Sequence, residues 1–296
     1  MKVIRTIEEL RAEIRNRRSK EASPVGLVPT MGYLHEGHAS LMQRAREMTG
    51  TVVLSIFVNP IQFGPGEDFE TYPRDEERDL AVAESNGVDI VFIPDVSEMY
   101  PQPTKTKVAV SELTSLLCGA SRPGHFDGVT TVVNKLFNIV KPDFAFFGMK
   151  DAQQVAVIEQ MVRDLNIDVE IVPCPIVREA DGLALSSRNV YLKPEEREQA
   201  LVLSKSLQTA LEQLENGSVT TAGEVRTLLN NIISEAPIAD IDYAEVLTFP
   251  ELKPIDNETK VSDTGSAVIL ALAVRFGRTR LIDNVLFQLK EGISHV

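Results

Sequence analysis

Hydrophobic runs and helical periods alternate over the first 180 residues of the chain. Short runs rich in β-branched residues predict buried strands, and amphipathic stretches predict the helices between them. The expected strands are Val25–Val28, Thr51–Val58, Asp89–Ile93, Phe144–Phe147 and Val169–Val172. The expected helices are Ala39–Met48, Arg74–Ser85, Val129–Ile139 and Ala152–Leu165. This alternation is typical of βαβ units, so we predict an α/β fold with a parallel sheet covered by helices on both faces.

An amphipathic helix is expected before the first of these strands. Its apolar face carries Ile4, Ile7, Leu10 and Ile14 at helical spacing. The opposite face is basic and contains Arg11, Arg15, Arg17, Arg18 and Lys20. We interpret these cations as a solvated helix face and not as a stripe that binds nucleic acid.

The pattern changes after Asn189, where two helices are followed by strands. The expected helices are Pro194–Leu214 and Ala222–Ser234, and the expected strands are Tyr243–Leu247, Ala267–Val274 and Leu281–Val285. Helices followed by strands indicate a separate α+β unit. We therefore predict an N-terminal domain over 1–183 and a smaller C-terminal α+β domain with an antiparallel sheet over 184–296, which we expect to act as a lid.

Composition narrows the function classes. The formal charge of −13 argues against a protein whose main task is to grip a phosphate backbone, so we expect no nucleic-acid partner. No apolar run is long enough to span a membrane, and the N-terminus lacks the apolar region of a secretory signal. Cys118 and Cys174 are too few for a disulfide framework or a zinc site. We expect a cytoplasmic protein.

Two of the four histidines, His35 and His38, lie just after the first predicted sheet strand, at the start of a helix. Residues three apart share a helix face, and the helix N-terminus attracts anionic oxygens. Gly37 lets a ring or a phosphate approach the backbone. Two imidazoles placed there suit charge stabilisation on a phosphate, although capping and metal binding are alternative roles.

The His35-x-Gly37-His38 pattern resembles the signature of the nucleotidyltransferase superfamily that includes the class I aminoacyl-tRNA synthetases. A second loop of that superfamily is similar to Asp181–Asn189 in this chain. The chain further resembles the pantothenate synthetase (pantoate–β-alanine ligase) family. Motifs similar to that family follow in its order: Val28–Gly32, Phe57–Phe63, Tyr72–Arg74, Gly119–Val129, Phe147–Gln154, Ser186–Asn189 and, near the C-terminus, Leu281–Asn284.

The resemblance implies a Rossmann-like N-terminal domain and an ATP-dependent ligase. Such an enzyme joins D-pantoate to β-alanine through a pantoyl-adenylate and releases AMP and pyrophosphate. It also implies a homodimer and Mg²⁺ accompanying ATP. No covalent nucleophile is needed, because positioning and charge stabilisation suffice.

The resemblance also implies roles for individual residues. The catalytic set is His35, His38, Lys150, Ser186, Ser187 and Arg188, with His38 as the acid. The ATP-binding set adds Met31, Gly32, Tyr33, Leu34, Glu36, Gly37, Gly148, Met149, Asp151, Val177 and Leu185. The pantoate and β-alanine set is Gln62, Gln154, Pro29, Thr30, Asn59, Tyr72, Arg122 and His125. The candidate Mg²⁺ ligand is Asp79, and the expected apolar wall for pantoate is formed by Pro29, Met31, Phe57, Val129, Val132 and Val133.

Two further expectations concern the long segment before the Val129 helix and one position at which the chain differs from the family. The long segment Ser111–Gly128, which carries Arg122 and His125, is expected to be a flexible flap. Met149 stands where the family commonly has Glu, which removes a charge beside Lys150 without touching the expected ligands.

Three alternatives remain beside the ligase. An adenylyltransferase of the same superfamily leaves Gln62, Gln154 and the Arg122–Val129 segment unexplained. A tRNA-charging enzyme needs a basic domain, yet acidic residues outnumber basic ones from residue 185 onward. A non-catalytic nucleotide sensor is expected to have lost some of His35, His38, Lys150 and Arg188, and all four are present.

Overall fold

The computed structural model describes residues 1–20 and 22–288, and the chain divides into two compact units. The first unit contains Met1–Ser115, Arg122–Val177 and Leu185–Ser187. The second contains Leu116–Ser121, Arg178–Ala184 and everything from Arg188 onward that is described. Neither unit is a single continuous stretch of the chain.

A six-stranded parallel sheet forms the centre of the first unit. Its strands are β1 (Lys2–Ile4), β2 (Val25–Thr30), β3 (Thr51–Ile56), β4 (Ile90–Phe92), β5 (Phe144–Gly148) and β6 (Glu170–Cys174). The strand order is β1-β4-β3-β2-β5-β6 and every pairing is parallel. The loops that follow β2, β3 and β5 therefore meet at one edge of the sheet, where ligands bind in open α/β folds.

Helices flank this sheet, and buried apolar side chains join the two layers. The helices of the first unit are α1 (Ile7–Lys20), α2 (Glu36–Met48), α3 (Glu76–Ser85), α4 (Val96–Met99), α6 (His125–Val140) and α7 (Ala152–Asp164). Leu41, Met42 and Ala45 lie at i, i+1 and i+4 of α2 and pack into a core with Val28 and Leu54. The predicted parallel sheet with flanking helices is confirmed.

The second unit builds its own core on a three-stranded antiparallel sheet. Its strands are β7 (Ala239–Phe249), β8 (Ala267–Phe276) and β9 (Thr279–Phe287), in that order. Its helices are α5 (Leu117–Ser121), α8 (Pro194–Gln199), α9 (Val202–Glu215) and α10 (Ala222–Ile233). Leu207, Leu229 and Leu270 are almost fully buried in its core. The predicted C-terminal antiparallel sheet is confirmed.

Several local predictions were wrong. Ile4, which was assigned to the first helix, lies in β1 and pairs with Phe92. The single helix predicted over Pro194–Leu214 is two helices separated at Ala200 and Leu201. The strand β7 is longer than predicted, because its ends carry the exposed Asp240 and the partly buried Thr248 and lack a continuous apolar signal. No helix within residues 1–20 and 22–288 is long and apolar enough to cross a membrane.

Candidate active site

The turn between β2 and α2 is built on two consecutive residues with left-handed backbone. Gly32 has a φ of 83° and Tyr33 a φ of 52°. A side chain on Gly32 would approach the Asp79 carboxylate to 2.9 Å, so the position has no room for one. This tight turn directs the backbone N–H groups of Tyr33 and Leu34 toward α3.

Asp79, on α3, holds that turn with both carboxylate oxygens. Tyr33 N donates to Oδ2 at 2.8 Å and Leu34 N donates to Oδ1 at 2.6 Å. Asp79 is almost fully buried, and burial raises the pKa of its carboxyl although the two N–H donors oppose the shift. The structure thus gives Asp79 a bracing role, and its expected role as a Mg²⁺ ligand stays a prediction.

His35 and His38 close the N-terminus of α2 with reciprocal hydrogen bonds. Gly37 N donates to His35 Nδ1 at 3.1 Å, and His35 N donates to His38 Nδ1 at 3.3 Å. Because both Nδ1 atoms accept, both neutral rings carry their proton on Nε2. The ring centroids lie 4.0 Å apart, so the two imidazoles form one face.

Burial and neighbouring positive charge keep both imidazoles neutral. Burial first, and then the Lys150 ammonium, lower the pKa of His35 to about 4. Burial, His35 and Lys150 hold the pKa of His38 well below its usual value. Capping and phosphate chemistry, which the sequence left as alternatives, are therefore compatible in one geometry. The Nε2–H groups remain as donors while Nδ1 caps the helix.

The His35 side chain packs against the backbone of Gly37 in this turn. The amide of Gly37 is occupied by the His35 side chain, so the helix start offers fewer free N–H groups to a phosphate than expected. A Cβ on Gly37 would meet the His35 ring at 2.9 Å, so its lack of a side chain makes room for that ring. The Leu34 side chain is fully buried in the core, and Glu36 is exposed.

Lys150 and Asp151 follow the end of β5, on the same edge of the sheet as the histidines. They lie in a 3₁₀ turn, Met149–Asp151, and Lys150 Nζ lies 4.0 Å from Asp151 Oδ2. The Lys150 charge lowers the pKa of both His35 and His38. Lys150 is far from His35 and His38 in the sequence, yet the fold brings its charge close enough to influence both imidazoles.

Part of the second loop also lies in the first unit. Leu185 N donates to Val177 O at 3.0 Å, and the Ser187 hydroxyl donates to Tyr33 O at 3.3 Å. Ser186 belongs to the same unit, whereas Arg188 belongs to the second unit. Ser187 is thereby tied to the turn that precedes His35.

The loop after β3 presents two buried amides, Asn59 and Gln62. Asn59 Nδ2 donates to Gln62 Oε1 at 3.1 Å and to Gly128 O at 3.1 Å. Tyr100 OH donates to Asn59 Oδ1 at 2.7 Å, and burial raises the pKa of this phenol. These contacts fix which end of the Gln62 amide is the donor, and Gln62 Nε2 points to Met31 Sδ at 3.2 Å. Sequence reasoning missed Tyr100, whose isolated position gives no signal.

Other expected substrate residues have mainly internal contacts. Thr30 Oγ1 donates to Ser55 O and accepts from Gly32 N. Pro29 is partly buried, and Tyr72 is buried with its ring edge-on to Phe63. Phe57, Val129, Val132 and Val133 are buried.

The two adjacent glutamines on α7 have different environments. Gln153 is buried, and its Nε2 donates to Leu113 O at 2.8 Å. Among the described residues, the Gln154 amide makes no hydrogen bond, and its side chain is partly exposed. Of the two glutamines, therefore, Gln154, an expected pantoate ligand, is the one whose amide makes no hydrogen bond within the described residues.

The expected flap is more ordered in secondary structure than predicted. Leu117–Ser121 forms α5, and His125 begins α6 instead of lying in a loop. Arg122 and His125 hydrogen-bond to each other, and Arg122 also pairs with Glu67, a residue that sequence reasoning missed. The fourth histidine, His295, lies outside the described residues.

Comparison with known proteins decides the family. A profile of the pantoate–β-alanine ligase family matches residues 2–286. The chain belongs to the pantoate–β-alanine ligase family. It is 57% identical over 286 residues to the pantothenate synthetase of Pelotomaculum thermopropionicum, which covers 97% of this chain and 99% of that protein. The pantothenate synthetase of Acetivibrio thermocellus is 56% identical over 97% of this chain and 100% of its own length.

Solved structures of the same family have the same fold. The pantothenate synthetase of Thermus thermophilus superposes with a TM-score of 0.88 at 46% identity, over 96% of this chain and 99% of that one. The pantoate–β-alanine ligase of Francisella tularensis was solved as a complex with β-γ ATP and β-alanine. It has a TM-score of 0.76 and 33% identity over 97% of both chains. The family resemblance read from the sequence motifs is confirmed.

Proposed function

We propose that this chain joins pantoate to β-alanine in an ATP-dependent ligation, releasing AMP and pyrophosphate. The full-length match to the ligase family is the observation that carries the proposal. The Francisella relative binds an ATP ligand and β-alanine, two of the three expected substrates. The alternative, an adenylyltransferase with another acceptor, does not explain this match.

The first half-reaction activates the pantoate carboxylate. A carboxylate and an ammonium form an ion pair in water and not an amide, so the carboxyl oxygen must become a good leaving group. A pantoate oxygen attacks the α-phosphorus of ATP, the bond to the bridging oxygen breaks, and pyrophosphate leaves. The products are pantoyl-adenylate and pyrophosphate.

His35, His38 and Lys150 stabilise the charge that develops on the phosphates. The two imidazoles are neutral and present Nε2–H donors, and Lys150 supplies a positive charge from the next strand end. Donors aimed in advance at a developing charge lower the barrier without reorganisation. For His38, which the resemblance implies is the acid, this scheme uses the neutral ring as a hydrogen-bond donor through Nε2–H. Ser186, Ser187 and Arg188 close over the triphosphate, with Arg188 as a cationic fork.

The second half-reaction forms the amide without an enzyme nucleophile. The free amine of β-alanine attacks the acyl carbon, the acyl–oxygen bond to AMP breaks, and the amine loses a proton. Cys118 and Cys174 are buried and form no disulfide within the described residues, and burial raises the pKa of Cys174 to about 11, so that thiol is not a nucleophile. Catalysis then depends on positioning the amine, the carbonyl and the phosphate.

The pantoate pocket is assigned to the loops after β2 and β3 and to the start of α7. Gln62 and Gln154 donate amide hydrogens to the carboxylate and hydroxyl groups. The buried side chains of Phe57, Val129, Val132 and Val133 form the apolar wall for the geminal methyl groups. Pro29, Thr30, Asn59, Tyr72, Arg122 and His125 complete the assignment.

Mg²⁺ is proposed to arrive with ATP. Among the described residues, no group of three or more His, Cys, Asp or Glu side chains is arranged to hold a metal ion. We propose an ion that is held mainly by phosphate oxygens and water with at most one carboxylate. Asp79 is the candidate for that carboxylate. The ion would neutralise phosphate charge.

The remaining proposals concern assembly, location and the second unit. We assign a homodimer, a cytoplasmic location, and a lid role to the C-terminal domain. Cys118 and Cys174 form no disulfide within the described residues, which fits a reducing compartment. Light scattering on the purified chain tests the assembly, because a homodimer has twice the mass of the 32.7 kDa chain.

Pyrophosphate release from purified protein tests the ligation. With ATP and pantoate alone, bound pantoyl-adenylate and one burst of pyrophosphate are expected, and adding β-alanine gives AMP and pantothenate. If neither substrate changes nucleotide turnover, the ligase proposal fails. Release with pantoate, but no amide after β-alanine is added, would instead favour the adenylyltransferase.

A further inference from the structure

Glu67, which the mechanism above does not use, forms a two-point ion pair with Arg122. Arg122 Nε donates to Glu67 Oε1 at 2.7 Å and Nη2 donates to Oε2 at 2.6 Å. The two side chains are 24% and 19% exposed, so solvent screens this pair less than an ordinary surface bridge. The Arg122 hydrogen bonds hold the pKa of Glu67 below its usual value, so the carboxylate is charged at neutral pH.

Arg122 in turn contacts His125, and His125 contacts the backbone of Gln62. Arg122 Nη1 lies 3.1 Å from His125 Nε2, and His125 Nδ1 lies 2.9 Å from Gln62 O. A guanidinium only donates and a carbonyl only accepts, so Nε2 must accept and Nδ1 must carry the proton. Burial first, and the Arg122 charge second, lower the pKa of His125 to about 4, which keeps this ring neutral.

The end of this series is the peptide whose side chain is expected to bind pantoate. A Cβ on Gly128 would lie 2.5 Å from Gln62 Cα, so α6 packs directly on the Gln62 backbone. Asn59 Nδ2 fixes the Gln62 amide by donating to Oε1. A shift of the Gln62 backbone would therefore move Nε2, the donor meant for pantoate.

We propose that Glu67 is a positioning residue for pantoate recognition, acting through Arg122 and His125 on Gln62. Each of the three guanidinium nitrogens of Arg122 makes one contact in the series, and Nη1 is the one that reaches His125. Glu67 lies 55 residues before Arg122, and the contact joins the loop after β3 to the start of α6. The proposal rests on the function proposed above, because it takes Gln62 as a pantoate ligand.

Steady-state kinetics of Glu67→Gln test the proposal, with Glu70→Gln as the matched control. Glu70 lies in the same loop and is exposed. Loss of the charged fork is expected to raise the KM for pantoate about tenfold in Glu67→Gln. The KM for ATP should stay within about twofold, since the histidine turn is untouched, and Glu70→Gln should match wild type. Equal behaviour of the two variants would overturn the proposal.

A double-mutant cycle separates positioning from a general loss of stability. If Glu67 acts through Arg122, the double variant Glu67→Gln/Arg122→Gln should be no worse than Arg122→Gln. If the increase in pantoate KM of the double variant were the product of the increases in the two single variants, Glu67 would act independently of Arg122. If Glu67→Gln does not fold, Arg122→Lys is used instead. It keeps the charge but lacks the planar fork, and the same rise in pantoate KM is expected.

Ring ¹⁵N NMR gives a readout independent of activity. The wild-type protein should show His125 as the Nδ1–H tautomer, identified by its loss in His125→Gln, and Glu67→Gln should shift the ring toward Nε2–H. An Nε2–H ring in wild type would overturn the series. Wild-type protein lacking pantoate-dependent pyrophosphate release, but with the expected tautomer change, would reject the proposed function and keep the positioning of Gln62.

Discussion

The Asp79 carboxylate accepts a hydrogen bond from the backbone N–H of Leu34 at 2.6 Å, one residue before the first site histidine. The second oxygen accepts from Tyr33 N, so one buried side chain of α3 fixes a turn 45 residues earlier in the sequence. The consequence is that the position of the two imidazoles depends on a residue that does not face them.

Asp79→Asn is expected to lower both the stability and the affinity for ATP. The amide keeps one acceptor but turns an NH₂ toward a backbone N–H, which should lower the free energy of unfolding by about 1–3 kcal/mol. Urea unfolding and ATP titration measure the two effects. Glu77→Gln, an exposed change on the same helix, is the control. If Asp79→Asn alters only the Mg²⁺ dependence and leaves stability unchanged, the ligand role is favoured over the brace.

Stability should fall between pH 6.5 and 4 because the partly buried histidines His35 and His38 are held neutral. The pKa of His35 is about 4 in the folded chain and near 6.5 when unfolded, and that of His38 is also lowered. Below pH 6.5 the unfolded chain binds more protons, so this contribution is complete above pH 6.5 and is lost as pH falls toward 4. Each such histidine adds a slope of about 1 kcal/mol per pH unit.

Urea unfolding of wild type and His38→Asn at pH 6 and pH 5 measures this slope. The variant has one fewer group to protonate, and carboxylates common to both proteins cancel in the difference. Asparagine still offers an oxygen to His35 N, so the helix cap is kept. An identical slope in the two proteins would mean that His38 is not held neutral.

Turnover should separate the capping and chemical roles of the same ring. His38→Ala and His38→Asn both lose Nε2–H, so both should abolish turnover, whereas only His38→Ala should lose the cap. Lys150→Ala should likewise lower kcat by a factor of at least ~100, as expected for removing a charge from the transition state. Lys105→Ala, an exposed change, is the control. Wild-type rates in any folded site variant would refute these roles.

The neighbouring glutamines of α7 form a matched pair. Gln154→Ala should raise the KM for pantoate with an unchanged thermal midpoint, because its amide has no internal contact within the described residues. Gln153→Ala should lower the midpoint, because Leu113 O loses its buried donor. Substrate titration and thermal unfolding of both variants test this. The reverse pattern would exchange the two assignments.

The sequence predicted the parallel sheet well because strands such as Thr51–Ile56 are buried on both faces and read as continuous apolar runs. It also placed His35, His38, Lys150 and Gln62 after strand ends, where the sheet brings them to one edge. These predictions succeed because local patterns and parallel topology determine them.

Other features depend on contacts that no local pattern reveals. Glu67 and Asp79 look like solvated charges, and only the folded chain shows their partners at Arg122 and Leu34. The start of α6 at His125 was missed because Pro123 and Gly124 indicate a loop, and Gly124 has a φ of 81°. The protonation of the histidines follows from burial, which the sequence does not encode locally.

The six residues Leu116–Ser121 have a consequence for how the protein is made. Ser121 Oγ donates to Asp242 and Cys118 Sγ contacts Tyr243 OH, both in β7. During translation these six residues are synthesised before their partners in β7, which lie more than a hundred residues further along the chain. A nascent chain that ends at Ser187 therefore holds all of the first unit together with two short segments of the second unit, Leu116–Ser121 and Arg178–Ala184. No single cleavage of the peptide chain separates the two units intact.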